Sequence, residues 1–314
     1  MSSSSRTAFI SHPDCGLHEM DFYHPESPAR LKAIEEALIA SGLMDKLTRY
    51  AAPLATRQQL ERVHTPEHIT GLEALSPTAH SSRFAYIDPD TAMNRHSLKA
   101  AYRAAGAVIL ATDLVMAKDV ESAFCSVRPP GHHAERSRAM GFCLFNNIAA
   151  GVAHAIAAHA LDRIAVVDFD VHHGNGTEDI FHDDPRVMMV STFQHPFYPY
   201  RGIAGRSERM VNIPLAAGSN GAMFRKAVEE FWLPALERFK PQVVFISAGF
   251  DGHRDDELAS LNLVEDDYAW ITKKIKGIAS AYADNRIVST LEGGYDLPAL
   301  GRSVAAHVAV LLDS

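Results

Sequence analysis

Six strongly apolar, mostly β-branched runs stand out along the chain, at residues 7–10, 122–127, 164–169, 187–192, 243–247 and 287–291. Several continue without a polar interruption, the pattern of strands covered on both faces rather than one. Between them, apolar residues recur at helical spacing over residues 27–40, 97–117, 146–160, 221–239, 265–283 and 298–312. The first of these opens on Ser27-Pro28, a favourable start because the N–H that proline lacks would be unpaired there anyway. Strands that alternate with helices predict βαβ units and a mainly parallel sheet. No long period repeats, and no low-complexity linker follows the first few residues. A single domain over residues 1–314 is therefore expected, with residues 1–6 flexible.

Sheets of this kind hold their ligands at the carboxyl ends of the strands. Four of the runs pass there into polar, glycine-bearing segments: Arg128-Pro129-Pro130-Gly131-His132-His133, Asp170-Val171-His172-His173-Gly174-Asn175-Gly176, Ala248-Gly249-Phe250-Asp251-Gly252-His253 and Glu292-Gly293-Gly294-Tyr295. If the four strands are neighbours, these ends make one site. Asp170 and His172 are two residues apart, and in an extended segment that spacing points both side chains the same way. Joined by Asp251 from another strand end, they would give three protein ligands and an open position, the pattern of a catalytic zinc site. Alone, the Asp-Val-His triplet is more simply a strand-end turn with solvated polar groups; its company gives it weight. His132 and His133 follow a rigid Pro-Pro-Gly turn. Near a metal-activated water, a histidine could take a proton and return it to a leaving amine; the competing reading is a loop pair bonded to backbone. Tyr295 could donate to an oxyanion or merely cover the core. Asp168 could orient a histidine or be a buried structural acid.

Composition narrows the class. Hydrophobic residues make up 47% and charged residues 22% of the chain, ordinary values for a globular protein. A net charge of -8 and a pI of about 6.1 argue against nucleic acid or an anionic membrane as partner. Cys15, Cys125 and Cys143 are too sparse and odd in number for a disulfide framework. The Ser-rich N-terminus lacks the apolar stretch of a secretory signal, and no stretch approaches 18 uncharged apolar residues, so no membrane span is expected. The expected location is cytoplasmic. Histidine is unusually frequent, at seventeen residues. Isolated ones such as His68, His96 and His154 read as surface or helix-face residues.

The segments Arg128 to His133, Asp168 to Gly176, Ala248 to Asp251 and Leu291 to Tyr295 together resemble the histone deacetylase superfamily. They are most similar to its class II branch and bacterial relatives, which include acetylpolyamine amidohydrolases. The similarity runs from about His24-Pro25-Glu26-Ser27-Pro28-Ala29-Arg30 to the C-terminus. The resemblance implies an arginase/deacetylase-like three-layer α/β fold with a central, mainly parallel eight-stranded sheet. It implies one catalytic Zn2+ held by Asp170, His172 and Asp251. His133 would be the general base, His132 its electrostatic partner or proton donor, and Tyr295 the oxyanion donor. Gly141 and Phe142 resemble the lining of a tunnel for the acyl amine, Phe197 or Tyr198 its opposite wall, Gly293 a further substrate contact and Asp90 a rim carboxylate. Asp168, the carbonyls of Asp170 and His172, Ser191 and Thr192 resemble an inner site for K+ or Na+; Phe181 and Val187 resemble part of an outer one. The implied partner is an acylated amine, acetyl-lysine or an acetylated polyamine, cleaved to carboxylate and free amine. Neither nucleic acid nor a membrane is expected, and a homo-oligomer is left open.

Asn175 stands where the class I branch has an acidic partner for the second histidine, so His133 should be less basic than beside a carboxylate. Glu292 before Gly-Gly-Tyr also follows the class II pattern. The runner-up is a dimanganese ureohydrolase of the same superfold. Its second metal needs bridging carboxylates, and Gly174 and His253 stand where they would be. A catalytically weak module that binds acyl amines is the third reading, disfavoured because Tyr295 and both histidines are present.

Overall fold

The computed structural model describes residues 7–21, 23–202 and 207–313; residues 1–6, expected to be flexible, lie outside them. The strands are β1 (Thr7–Ser11), β2 (Thr48–Ala51), β3 (Ala85–Tyr86), β4 (Ala92–Met93), β5 (Ser122–Cys125), β6 (Ile164–Asp168), β7 (Val187–Gln194), β8 (Met210–Leu215), β9 (Val243–Ala248) and β10 (Ile287–Leu291). The helices are α1 (Ala29–Ala40), α2 (Arg57–Leu60), α3 (Pro66–Leu75), α4 (Ser97–Ala117), α5 (Asn147–His159), α6 (Asn175–Phe181), α7 (Gly221–Ala227), α8 (Leu233–Phe239), α9 (Glu265–Tyr282) and α10 (Leu297–Leu312). Eight strands form one parallel sheet in the order β2-β1-β5-β10-β9-β6-β7-β8. β3 and β4 pair as a separate antiparallel ladder.

Successive side chains along a strand point to opposite faces, and here both faces are covered. Ile164 and Val166 of β6 and Val243 and Phe245 of β9 pack in one layer with α3, α4 and α5. Ala165 and Val167, with Val244 and Ile246, pack in the other with α1, α9 and α10. Each fully buried Val or Ile contributes roughly 1.5–3 kcal/mol, which explains why the central strands read as unbroken apolar runs. Helix α4 is long and apolar enough to cross a membrane. Its apolar residues are instead buried against α5 and β5.

The six expected strands form, with ends shifted by no more than two residues. The edge strands β2 and β8 escape the pattern for a physical reason. β2 is only partly covered and alternates half-buried with exposed residues; β8 carries an exposed Pro214, tolerated at an edge because proline cannot donate to a ladder. The expected helix over residues 221–239 divides into α7, a π-helical turn at Val228–Trp232, and α8. Pro234 in the first turn of α8 has no N–H to return to Glu230, so the backbone widens there. His68 and His154, expected on the surface or a helix face, are buried to 8% exposure. All three cysteines are buried and unpaired.

Candidate active site

Strands β5, β10, β9 and β6 are consecutive in the sheet, so the four polar strand ends are neighbours. His172 Nδ1 lies 3.1 Å from Asp170 Oδ1 and 3.1 Å from Asp251 Oδ2. One donor atom from each of the three residues falls within 4.8 Å of the others. The reason for this convergence differs from the expected one. β6 ends at Asp168, and residues 170–172 form a bend rather than an extended segment. The His172 amide donates to Asp170 Oδ1 at 2.8 Å, a tight turn that folds the imidazole back over the carboxylate. Asp170 Oδ2 accepts from the Gly293 amide at 2.8 Å, and Asp251 Oδ1 from the Val171 amide at 3.0 Å. These approaches depend on glycine. A Cβ on Gly293 would stand 2.0 Å from Asp251 Oδ2, and one on Gly249 2.0 Å from Asp170 Oδ2.

Asp170 and Asp251 are buried, while the His172 side chain keeps 13% exposure where it lines a cavity. Burial and the neighbouring Asp170 push Asp251 up to about 6. Two buried acids this close conflict unless cations lie beside them. A dication facing all three donors relieves that conflict. Two carboxylates and one imidazole with an open side are a donor set that zinc accepts.

His132 and His133 come from the segment after β5, with ring centroids 4.0 Å apart. His132 Nδ1 is 3.0 Å from Asp168 Oδ2, and its Nε2 is 3.8 Å from Asp170 Oδ2. Burial alone would lower His132, but Asp170 and Asp168 outweigh it and push the imidazole up to about 10. His133 Nδ1 is 2.7 Å from Asn175 Oδ1. Asn175 Nδ2 donates to Glu135 Oε1 at 2.9 Å, which orients the amide. Its oxygen can only accept, so His133 Nδ1 carries the hydrogen and Nε2 has a free lone pair. Burial, then the neighbouring His132 and His172, hold His133 well below the usual histidine range. The two imidazoles are thereby pushed in opposite directions, His132 toward its cationic form and His133 toward the neutral ring that can take a proton.

These groups open onto a cavity of about 190 Å³. Gly141, Phe142, Tyr198, Gly293, Tyr295 and Asp90 all line it. Tyr198 stands edge-on to His133 at 5.2 Å, and Phe142 edge-on to Tyr295 at 6.0 Å. Phe197 instead stacks on His172 at 5.3 Å, so of the two candidates Tyr198 forms the wall and Phe197 backs the imidazole. Asp90 lies between β3 and β4; burial and its neighbour Asp88 push it up to about 6. Asp168 pairs in register with Ser191 on β7. Ser191 Oγ is buried with no hydrogen-bond partner among the described residues, and Thr192 beside it is buried too. Phe181 and Val187 flank the turn that enters β7 and do not line the cavity.

Several residues that hold the site have no assigned role in a reading of its chemistry. Glu292 is fully buried. Its Oε2 accepts from the amides of Gly131 and His132 at 2.6 and 3.1 Å, and its Oε1 from Ser247 Oγ at 3.2 Å. It ties the end of β10 to the tandem histidines, and burial pushes it up to about 7. Arg30 of α1 donates to the carbonyls of Gly294 and Glu292 at 2.6 and 2.5 Å, with its guanidinium 4.9 Å from the Tyr295 ring centroid. Asp256 accepts from the Tyr295 amide at 2.6 Å, and Leu258 lines the cavity. Arg30 carried a signal as the last residue of the His24–Arg30 resemblance; Leu258 carried none, because an exposed leucine has no chemical signature.

Comparison with known proteins agrees with this geometry. Residues 24–311 match the histone deacetylase domain. The chain is 36% identical over 279 residues to a histone deacetylase-like amidohydrolase of Pseudomonas aeruginosa, covering 87% of this chain and 72% of that one. It is 34% identical to the type-2 histone deacetylase 2 of Dictyostelium discoideum over 98% of its own length, but spans only 21% of that longer protein. A solved structure, the HDA15 HD domain, superposes with a TM-score of 0.90 at 33% identity, covering 98% of this chain and 90% of that one. The family match over residues 24–311 takes in all four of the strand ends that meet at the cavity, and on that ground the chain belongs to the histone deacetylase family of deacetylases and amidohydrolases.

Proposed function

We propose that this chain is a zinc-dependent deacylase that hydrolyses N-acyl amines, acetyl-lysine in a peptide or an acetylated polyamine, to a carboxylate and a free amine. The reading rests above all on one juxtaposition: Asp170, His172 and Asp251 converge, and His172 lines a cavity that His133 and Tyr295 also line. Zinc held by those three ligands would polarise the acyl carbonyl and acidify a water. His133 takes the proton of the attacking water at Nε2, because its Nδ1 is committed to Asn175. His132, drawn toward its cationic form by Asp170 and Asp168, would offset the negative charge that develops or protonate the departing nitrogen. Tyr295 donates its hydroxyl to the oxyanion. Burial pushes that hydroxyl well above its usual range, so it stays a donor at neutral pH. Phe142 and Tyr198 shield the alkyl chain from water, with Gly141 and Gly293 leaving room for it. Asp90 at the mouth accepts from the substrate's flanking amide.

The orphaned hydroxyl of Ser191, in register with Asp168, supports a K+ or Na+ ion held by Asp168, Ser191, Thr192 and the carbonyls of Asp170 and His172. Phe181 and Val187 would serve a second, outer ion. A dimanganese centre has less support. Gly174 offers no donor, and His253 faces Asp255 and Glu265 instead.

Acetate release would be measured from an acetyl-lysine peptide, acetylputrescine and acetylcadaverine, with and without a chelator. Hydrolysis that stops on chelation and returns with Zn2+ is expected. Two tightly bound equivalents of manganese together with guanidine hydrolysis would overturn the reading.

A further inference from the structure

Helices α4 and α5 run back from the carboxyl edge of the sheet, so their last turns lie at its amino edge, remote from the cavity. There Asp113 of α4 meets His154 and His159 of α5. Asp113 Oδ1 lies 2.8 Å from His154 Nε2 and 2.8 Å from His159 Nε2, and the two imidazole centroids are 5.7 Å apart. One donor atom from each of the three residues falls within 4.8 Å of the others. Residues five apart on an ideal helix diverge by about 140°. The carboxylate from the neighbouring helix, not the spacing, is what unites the two imidazoles. The side chains of Asp113, His154 and His159 are 49%, 10% and 24% exposed, so the cluster opens to solvent on the side of its carboxylate. None of the three residues lines the cavity or takes part in the proposed deacylation.

We propose that Asp113, His154 and His159 form a second, peripheral site for a transition-metal dication such as Zn2+, clamping α4 to α5. Two imidazoles and one carboxylate with open positions are a donor set zinc takes. Ligands about 2.0–2.1 Å from a tetrahedral ion stand roughly 3.3–3.4 Å apart, so the cluster must widen by about half an ångström. Partly exposed side chains can do this by small torsional changes. Arg62 sets the counterweight. Its Nη1 donates to His154 Nδ1 at 3.1 Å, whereas ligation through Nε2 leaves the hydrogen on Nδ1. Arg62 is exposed at the surface and must swing aside on metal uptake. It therefore weakens the site, which a trio serving only as hydrogen-bonded structure gives no reason to expect.

The test is a calorimetric titration with Zn2+ of protein already carrying one equivalent. A second, weaker equivalent is expected in the unmodified chain. His159→Gln and Asp113→Asn should each weaken it by about tenfold or more, and Arg62→Gln should tighten it several-fold. Peptide deacylation at one equivalent should be unchanged in all three. Asp113→Asn, at a half-exposed carboxylate, serves if His159→Gln fails to fold. Equal second-equivalent binding in the unmodified chain and both ligand variants would refute the proposal, as would no second equivalent up to about 1 mM Zn2+. Binding is read directly, so the outcome does not depend on whether the chain deacylates anything.

Discussion

His132 and His133 are adjacent in the chain but differ in what their Nδ1 atoms meet: a carboxylate for the first and an amide for the second. That difference supports the roles proposed for them, because the carboxylates favour a cation and the amide only orients a neutral ring. Removing the base should be costly in turnover and cheap in metal. His133→Ala is expected to lower kcat/KM by about 10²–10⁴ and Tyr295→Phe by about 10²–10³. Both variants should retain zinc by atomic absorption, and near-normal turnover in both would refute the roles. Asn175→Asp places a negative charge on the His133 Nδ1 side and so raises the affinity of His133 for a proton. The acid limb of the kcat/KM profile should then move to higher pH; an unmoved limb would mean that another group sets it.

At the scale of elements, the site is a set of strand ends held in place by a buried ion network. Glu26, fully buried, meets Arg128 at 2.6 Å, Arg30 at 3.1 Å and His18 at 3.3 Å. Arg30 in turn grips the Glu292 and Gly294 carbonyls that position Tyr295. Burial alone would raise Glu26, but Arg128 and then His18 hold it well below the usual carboxylate range. A depressed carboxylate contributes stability that is complete above its unfolded pKa of about 4.3 and is lost as pH falls through the folded value. Glu26→Gln strands two buried guanidinium groups and should cost about 3–5 kcal/mol at neutral pH. Urea unfolding of both proteins from pH 7 downward should show the gap narrowing only in the acid range. A gap that stayed constant to the lowest pH would deny the ionic origin. The geometry also explains why Gly249 and Gly293 matter: they let carboxylates from other strands approach the backbone.

For the molecule as a whole, the decisive fact is strand order. β10, from the far end of the chain, inserts between β5 and β9 and brings Glu292 and Tyr295 to the tandem histidines. A metal that binds Asp170, His172 and Asp251 in the native chain but not in the unfolded one should stabilise the native state by mass action, about 4 kcal/mol at a thousandfold excess over Kd. Chelation should lower Tm, and Zn2+ should restore it together with activity. An unchanged Tm would show that the carboxylates are satisfied without metal.

The chain's own pattern determined the alternation of strands and helices, the central buried strands and the four polar segments that end them, because periodicity and residue type are local properties. It left the edge strands β2 and β8 unread, since a partly covered strand does not form an apolar run. Only tertiary structure decided that the four ends are neighbours and that residues 170–172 turn rather than extend. It also put Tyr198 rather than Phe197 at the cavity wall and buried Glu26, Arg30 and Glu292 beneath it. Asp113, His154 and His159 show the same limit most plainly. No spacing along the chain announces them, because the atom that unites two imidazoles of one helix belongs to another helix packed against it.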